Sequence, residues 1–309
     1  MVSAALKLVP IPAATPAVRR TEIALRDVAV AYPAGREGVK TVLSGLNLEI
    51  AAGEVVVILG ETGCGKSTLL RLILGQEFPT TGSVMVDGKD VTRIDSRCGY
   101  VPQKYSLFPD RTVLGNVMYG PENAHSSFLG RILPSFWSYR KGLEAQARRY
   151  LERMGLRPQD MDKYPHQLSG GMQQRVAIAQ ALLMHPPVLL MDEAFSALDP
   201  STRSSLQEQL HSIWQESRPT IVFITHNTSE ALLMGTRVIL LGRHQEEHVH
   251  RSNVLADMEI PTASLPFARR RQSPEFHELH QYMKQLAFKS SSMNRDEEPL
   301  QPQTAEGEL

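Results

Sequence analysis

Only two cysteines, Cys64 and Cys98, occur in the 309 residues. One lies inside a glycine-rich loop, which speaks against a structural disulfide and for a reducing compartment. No run of 18 or more apolar residues exists, the longest candidates being interrupted at positions such as His185-Pro186-Pro187; a helical membrane span is therefore not expected. Neither sign of charge dominates. Lys+Arg and Asp+Glu both number 33, so no overall field draws the chain to nucleic acid or to an anionic bilayer, and membrane contact is expected only through a partner. Residues 1–20 are rich in Ala and Pro but have no continuous apolar stretch; they read as a loose tail rather than a signal peptide. With 42% hydrophobic residues the remainder is an ordinary globular chain, long enough for one large domain or two.

What is present centres on Gly60-Glu61-Thr62-Gly63-Cys64-Gly65-Lys66-Ser67-Thr68, which follows the apolar run Val55–Leu59 and precedes the apolar-periodic Leu69–Leu74. That order predicts a strand, a glycine loop and a helix. A phosphate chain there meets backbone N–H groups and the positive end of a helix dipole, while the glycines remove side chains that would block its approach. Lys66 adds charge at the β/γ-phosphates and the Ser67 hydroxyl ligates Mg²⁺.

The flanking segments predict a two-part architecture. Ile23, Leu25, Val28 and Val30 alternate in Glu22–Tyr32, Val42–Ile50 supplies a second strand, and Thr81–Gly88 suits a hairpin; together they predict an antiparallel subdomain. A short strand ends at Gln103, and from Thr112 to Lys163 the period is helical, predicting a helical insert over about 104–170. Within it Phe128–Trp137 is apolar enough for either internal packing or a partner surface. Helices are predicted over Met172–Met184 and Ser201–Gln215. Val188–Met191 and Thr220–Thr225 run without alternation, as strands covered on both faces of a parallel sheet do, and Val238–Leu241 reads as the last strand. Strands alternating with helices predict a doubly wound α/β core within residues 21–242. Residues 243–309 read as an extension: a proline-bearing linker, the solvated run Arg269-Arg270-Arg271, a helix over 274–288 opened by Ser273-Pro274 and apolar at Phe276, Leu279, Met283 and Leu286, and a polar, disordered end from Ser290.

An open parallel sheet places ligands at the carboxyl ends of its strands, which here carry Gly60, Gln103, Asp192-Glu193 and His226. Asp192 is suited to hold Mg²⁺ through its water shell. Glu193 is placed to orient or deprotonate the water that attacks the γ-phosphate. His226 is either a satisfied core histidine or a γ-phosphate contact, and its place beside the other strand ends favours contact. Ser169-Gly170-Gly171 at a helix start forms a second anion site, for which a single chain has no second phosphate. Two copies arranged head to tail supply one.

Six ordered segments carry a family resemblance: the phosphate loop at Gly60–Thr68, Gln103, the signature Leu168-Ser169-Gly170-Gly171-Met172-Gln173-Gln174-Arg175, Asp192-Glu193, Ser196-Ala197-Leu198-Asp199, and His226. Over roughly Ile23–Gly242 the chain resembles the nucleotide-binding subunits of ATP-binding cassette (ABC) transporters. The signature ending, and the proline, Arg-x-Arg and helix pattern of the tail, look most like the nitrate/sulfonate/taurine importer ATPases. The resemblance implies a P-loop core with a mainly parallel sheet, an antiparallel β subdomain and an inserted helical subdomain. It implies ATP and Mg²⁺ as ligands, Tyr32 stacked on adenine, Gln103 as metal contact and link to a permease, and ATP sandwiched in a dimer with a second copy or a paired subunit. It further implies a place at the cytoplasmic face of the membrane, peripheral through the permease, a solute-binding protein as indirect partner, and no nucleic acid. Glu61 stands where this family more often has a neutral residue or histidine. An exporter or lipid-extraction ATPase shares the same motif order; a DNA- or ribosome-associated cassette protein is disfavoured by the single cassette and the missing coiled coil. Tyr105, Leu107 and Phe108, after Gln103, are expected to be exposed at the permease.

Overall fold

Strand pairing sorts the chain into two sheets. The structure, a computed structural model, describes residues 20–35, 38–94, 96–104, 107–125, 134–196, 198–244 and 252–293. In chain order the strands are β1 (Thr21–Pro33), β2 (Val39–Ala51), β3 (Val55–Gly60), β4 (Thr81–Val86), β5 (Lys89–Asp90), β6 (Cys98–Val101), β7 (Val188–Asp192), β8 (Thr220–Thr225), β9 (Arg237–Leu241) and β10 (Val254–Glu259). The helices are α1 (Lys66–Leu74), α2 (Val113–His125), α3 (Pro134–Arg153), α4 (Gly170–Leu183), α5 (Pro200–Ser217), α6 (Thr228–Met234), α7 (Phe267–Arg270) and α8 (Pro274–Met293).

The first sheet, ordered β2-β1-β4-β5, is antiparallel throughout, as predicted. In β1 the buried positions change parity from Ile23 and Leu25 to Val28 and Val30. A register shift between Leu25 and Val28, with Asp27 at φ +48°, supplies the extra residue that keeps both pairs on the core face. The second sheet is ordered β10-β9-β3-β8-β7-β6, and its five strands from β9 to β6 are parallel. Its central strands lack alternation because both faces are covered. Val56, Ile58, Val188, Leu190, Val222 and Ile224 face the core shared with α1 and the first sheet, whereas Val55, Val57, Leu189, Met191, Ile221 and Phe223 face the core shared with α2 to α6. α2 and α3 lie within the expected helical insert and pack on α4, which buries Val176, Ile178, Ala179, Leu182 and Leu183.

Several expectations differ from the structure. Val238–Leu241 does not end the sheet: β10 pairs antiparallel with β9 beyond a segment outside the described residues. Its alternating exposure over Val254–Glu259 is that of an edge strand, whose outward Asp257 takes a bidentate bond from Arg237 at 2.6 Å; such half-apolar edge segments read as loop. Arg270 is not solvated. It is 1% exposed, and its Nη1, Nη2 and Nε donate to the carbonyls of Leu233, Ala263 and Leu265 at 2.8, 2.7 and 3.2 Å. Burial lowers its pKa to about 10. α4 begins at Gly170 rather than Met172 because the Ser169 hydroxyl caps it by accepting the Met172 N–H at 3.3 Å. Helix α6, absent from the sequence reading, is only seven residues long. α8 is present, opened by Ser273 accepting the Phe276 N–H at 3.2 Å, and buries Phe276 and Met283. The tail at 1–19, Tyr105, Phe128–Leu133, Ala197 and the end from residue 294 lie outside the described residues; of the apolar Phe128–Trp137 stretch, Phe136 is buried and Trp137 is 60% exposed.

Candidate functional site

Helix α1 starts on the phosphate loop with Gly65 at its N-cap in a left-handed conformation, φ +99°. A Cβ at Gly60 would come within 2.4 Å of the Leu241 backbone carbonyl oxygen, so Gly60 is needed for close approach, whereas Gly65 is needed for its left-handed turn. No side chain caps α1 and no acidic residue occupies its first turn. The helix therefore offers its first N–H groups and positive dipole end to an anion. Lys66, 6% exposed, curls over the loop: Nζ donates to the Gly60 and Glu61 carbonyls at 2.8 and 2.6 Å and stands 3.8 Å from Cys64 Sγ. Neither Cys64 nor Cys98 forms a disulfide, and burial pushes the Cys64 thiol up. This donor set fits a phosphate chain.

The acidic Glu61 has a basic neighbour that the sequence reading missed. Arg243, just past β9, donates Nη2 to the Thr62 carbonyl at 3.1 Å and brings Nε to 3.9 Å from Glu61 Oε2. Arg243 thus sets a positive charge within ion-pair range of Glu61. On the other flank Tyr32, at the end of β1, is 37% exposed and donates its hydroxyl to Glu77 Oε2 at 2.6 Å, while Arg71 of α1 bonds the other Glu77 oxygen at 2.8 Å.

The predicted strand-end residues come together. Asp192 ends β7 and is half-buried. Burial pushes its carboxyl up, while a hydrogen bond from Ser67 pulls it down, Glu193 raises it, and Arg71 and Lys66 lower it. Asp192 beside the Ser67 hydroxyl at a half-dry strand end is a hard oxygen donor pair of the kind Mg²⁺ takes while keeping waters. Glu193 follows with φ +45°. A left-handed backbone is costly for a side chain of this size, about 1 kcal/mol or more, and such strain concentrates at functional sites; it leaves no mark in the sequence. The Glu193 N–H donates to the Ile224 carbonyl of β8 at 3.0 Å. Both carboxylate oxygens are occupied: Gln103 Nε2 donates to Oε2 at 2.8 Å, and His226 Nδ1 stands 3.4 Å from Oε1. Gln103 thus meets Glu193, where the sequence reading placed it toward the metal. His226 is exposed, not a core histidine.

Beyond Gln103 the expected exposed trio is only partly so. Leu107 is half-buried against the larger core. Phe108 is 37% exposed, its ring 4.5 Å from that of Tyr119, with the Arg111 guanidinium over both. Buried Asn116 holds this segment, its Oδ1 accepting from the Phe108 N–H at 2.7 Å and its Nδ2 donating to the carbonyls of Phe108, Arg111 and Thr112 at 3.0 to 3.1 Å. Ser169 and Gly170 stand exposed at the start of α4 with Gly171 half-exposed. Among the described residues no helix is long and apolar enough to cross a membrane.

The profile of the family described as ABC transporter matches residues 43–196. The bicarbonate transport ATP-binding protein CmpD of Synechocystis is 38% identical over 277 residues, covering 88% of this chain and 91% of its own. The nitrate import ATP-binding protein NrtD of the same organism is 43% identical over 208 residues, 67% and 73% of the two chains. The dimeric structure of a post-hydrolysis state of the ATP-binding cassette MJ0796, bound to ADP and Pi, superposes with a TM-score of 0.63 at 30% identity, over 77% of this chain and 98% of that one. On these likenesses the chain belongs to the ABC transporter family as an ATP-binding, ATP-hydrolysing subunit.

Proposed function

We propose that this ATPase powers import of a small oxyanion, of the nitrate, bicarbonate or sulfonate kind, through a separate membrane permease. ATP is held between two copies, or a copy and a paired subunit, arranged head to tail. The importer-type relatives support the direction of transport, and the CmpD match, running through nearly the whole chain, supports the solute class. The exposed Ser169 turn, far from its own phosphate loop in sequence and set at the N-terminus of α4, supports the head-to-tail arrangement. The subunit sits at the cytoplasmic face, peripheral through the permease, and a solute-binding protein delivers the anion.

The observation that carries the hydrolytic reading is Glu193 held between Gln103 and His226 beside Asp192 and Ser67. In this reading Lys66 and the loop N–H groups bind the β/γ-phosphates. Ser67 and Asp192 are the residues that would hold Mg²⁺, which when bound would supply positive charge against the phosphates, and Gln103 reports on the site from the β6 end. His226 contacts the γ-phosphate, and Glu193 orients or deprotonates the attacking water. Tyr32 supplies the face for adenine; its hydroxyl tether to Glu77 leaves the ring partly exposed.

Glu193→Gln tests this. The amide keeps the shape and the Gln103 contact but loses the proton acceptor, so turnover should fall at least about 100-fold while MgATP binding persists. Dimers should accumulate with ATP by light scattering, and cells carrying the variant should lose uptake of the oxyanion. Hydrolysis near the wild-type rate would remove Glu193 from its role, and unimpaired uptake of all three anion types would overturn the solute class.

A further inference from the structure

Two surface turns at the site are joined by an ion pair between a half-buried arginine and a buried glutamate that none of the six motif segments includes. Arg203, in the first turn of α5, donates Nη2 to the Leu198 carbonyl at 2.8 Å, and its Nε stands 3.4 Å from Glu230 Oε1. Glu230 is the third residue of α6 and 6% exposed. Its other oxygen accepts the Thr225 hydroxyl at 2.7 Å. Thr225 ends β8 immediately before His226, and its hydroxyl oxygen accepts the Asn227 N–H at 3.0 Å. Asn227 Oδ1 in turn caps α6 by accepting the N–H groups of Ser229 and Glu230 at 2.9 and 3.2 Å. The residues on both sides of His226 are therefore placed by Glu230.

The chemistry of the pair points the same way. Asn227 and Glu230 have the spacing of a capping box, in which the glutamate reaches back to the N-cap N–H. Here that N–H goes to Thr225 instead, and Glu230 turns inward. Burial pushes its carboxyl up against the Thr225 bond and the Arg203 charge. A local, inexpensive role has been given up for a buried charge, which is retained only when paired. Arg203 Nε, also buried, has no aligned hydrogen bond, so the pair has slack of a few tenths of an ångström relative to a full bond, about 2.9 Å. At its far end Leu198 belongs to the turn Ser196–Asp199, whose Ser196 and Asp199 are exposed. A surface that presses on this turn displaces the Leu198 carbonyl, hence Arg203, hence Glu230 and the His226 loop.

We propose that Arg203 and Glu230 form a strut that transmits the position of the Ser196–Asp199 turn to His226, making both positioning residues for hydrolysis at Glu193. This rests on the reading of Glu193 and His226 given above. The test uses the full chain as wild type, Glu230→Gln, Arg203→Met, the double variant and His226→Ala, with kcat and KM for MgATP, nucleotide affinity and thermal midpoint measured for each. The strut predicts that each single variant lowers kcat about 10-fold with KM and affinity within about twofold, and that the double variant falls no more than about threefold below the worse single one. Independent roles would instead multiply to about 100-fold. A folded Glu230→Gln enzyme with wild-type kcat, a matched loss of nucleotide binding, or multiplicative effects would overturn the proposal. Should Glu230→Gln fail to fold, Arg203→Lys, which keeps the charge but not the planar fork, is judged by the same kcat-against-KM criterion. His226→Ala separates the two levels: wild-type kcat there sinks the site reading itself, whereas a loss there with none in the strut variants sinks only the strut.

Discussion

Replacing His211 by phenylalanine probes how the C-terminal segment is held on the ATPase core, because His211 is a buried base without a bond. Its ring is 4% exposed and lies between Trp214 of its own helix α5, centroids 5.4 Å apart, and Phe267 of α7 at 4.8 Å. Nε2 has no hydrogen-bond partner. Burial lowers its pKa from 6.5 to about 4, with the positive charges of Arg270 on α7 and Arg218 after α5 adding to the effect. The folded value lies below the unfolded one, so between these limits the unfolded chain binds more protons and stability is lost as pH falls through the window. At pH 5 the ratio of the two binding polynomials is about 30, which corresponds to about 2 kcal/mol lost relative to pH 7.5. Phenylalanine keeps an aromatic ring between the same neighbours and removes the titration. Urea unfolding at pH 7.5 and pH 5 is therefore expected to show the variant gaining about 2 kcal/mol on the wild type between the two conditions, other titrating groups being common to both. Parallel pH dependence of the two proteins would refute the buried, neutral histidine and the packing of α7 that buries it.

Two further outcomes follow from the geometry. Phe108→Ala removes a ring that is already 37% exposed, so the isolated protein should lose only about 1 to 2 kcal/mol, the share of the Tyr119 pair and partial burial, rather than the 3 to 5 kcal/mol of a core phenylalanine; co-purification with the permease and solute-stimulated hydrolysis should fall, and normal permease binding would count against docking there. Ser169→Arg fills the start of α4 and should block hydrolysis without weakening ATP binding by the monomer, whereas Lys66→Ala should reduce both; a verified mixed dimer of the two variants rebuilds one intact composite site and should regain partial activity, and its failure to do so would count against the head-to-tail sandwich.

The contrast between what sequence conveyed and what it hid is one of range. The phosphate loop, the strand-end acids and the α4 start are written in glycine, serine and carboxylate positions whose geometry is local, so a single pass along the chain finds them. The covered strands are legible for the same reason, since unbroken apolar runs at β7 and β8 have one explanation in a parallel sheet. Arg270, by contrast, looks like one of three equal charges until Leu233, 37 residues earlier, presents a carbonyl to it. β10 was hidden because an edge strand needs only three inward residues, and Val254, Ala256 and Met258 are too sparse to stand out beside Asp257 and Glu259. Glu230 did carry a signal, the capping-box spacing from Asn227, but the local reading of that signal is the one the fold discards. Glu193 takes its left-handed backbone where its N–H meets the Ile224 carbonyl at the end of the β7–β8 ladder, a pairing between segments 31 residues apart that the local sequence does not display.

On the proposed reading, the two groups on Glu193 reach it from opposite sides of β7, and that has a mechanical consequence. Gln103 comes from the end of β6 and leads within a few residues to Leu107 and Phe108, and Asn116 ties Phe108 to α2 through two hydrogen bonds. His226 comes from the end of β8 and is tied through Glu230 to α6, which is itself pinned from beyond by Arg270 on the Leu233 carbonyl and by His280 against Ser229 at 3.1 Å. Glu193 can serve a water only with an oxygen free to face it, and at present Gln103 and His226 each stand at one. The His226 side is braced by buried contacts on two faces. The Gln103 side is braced at Asn116 but exposed at Gln103 itself and at Phe108. Of the two groups, Gln103 is therefore the one that a partner bound at Phe108 can move at least cost, which places control of the base on the permease side and leaves the His226 side to set its geometry.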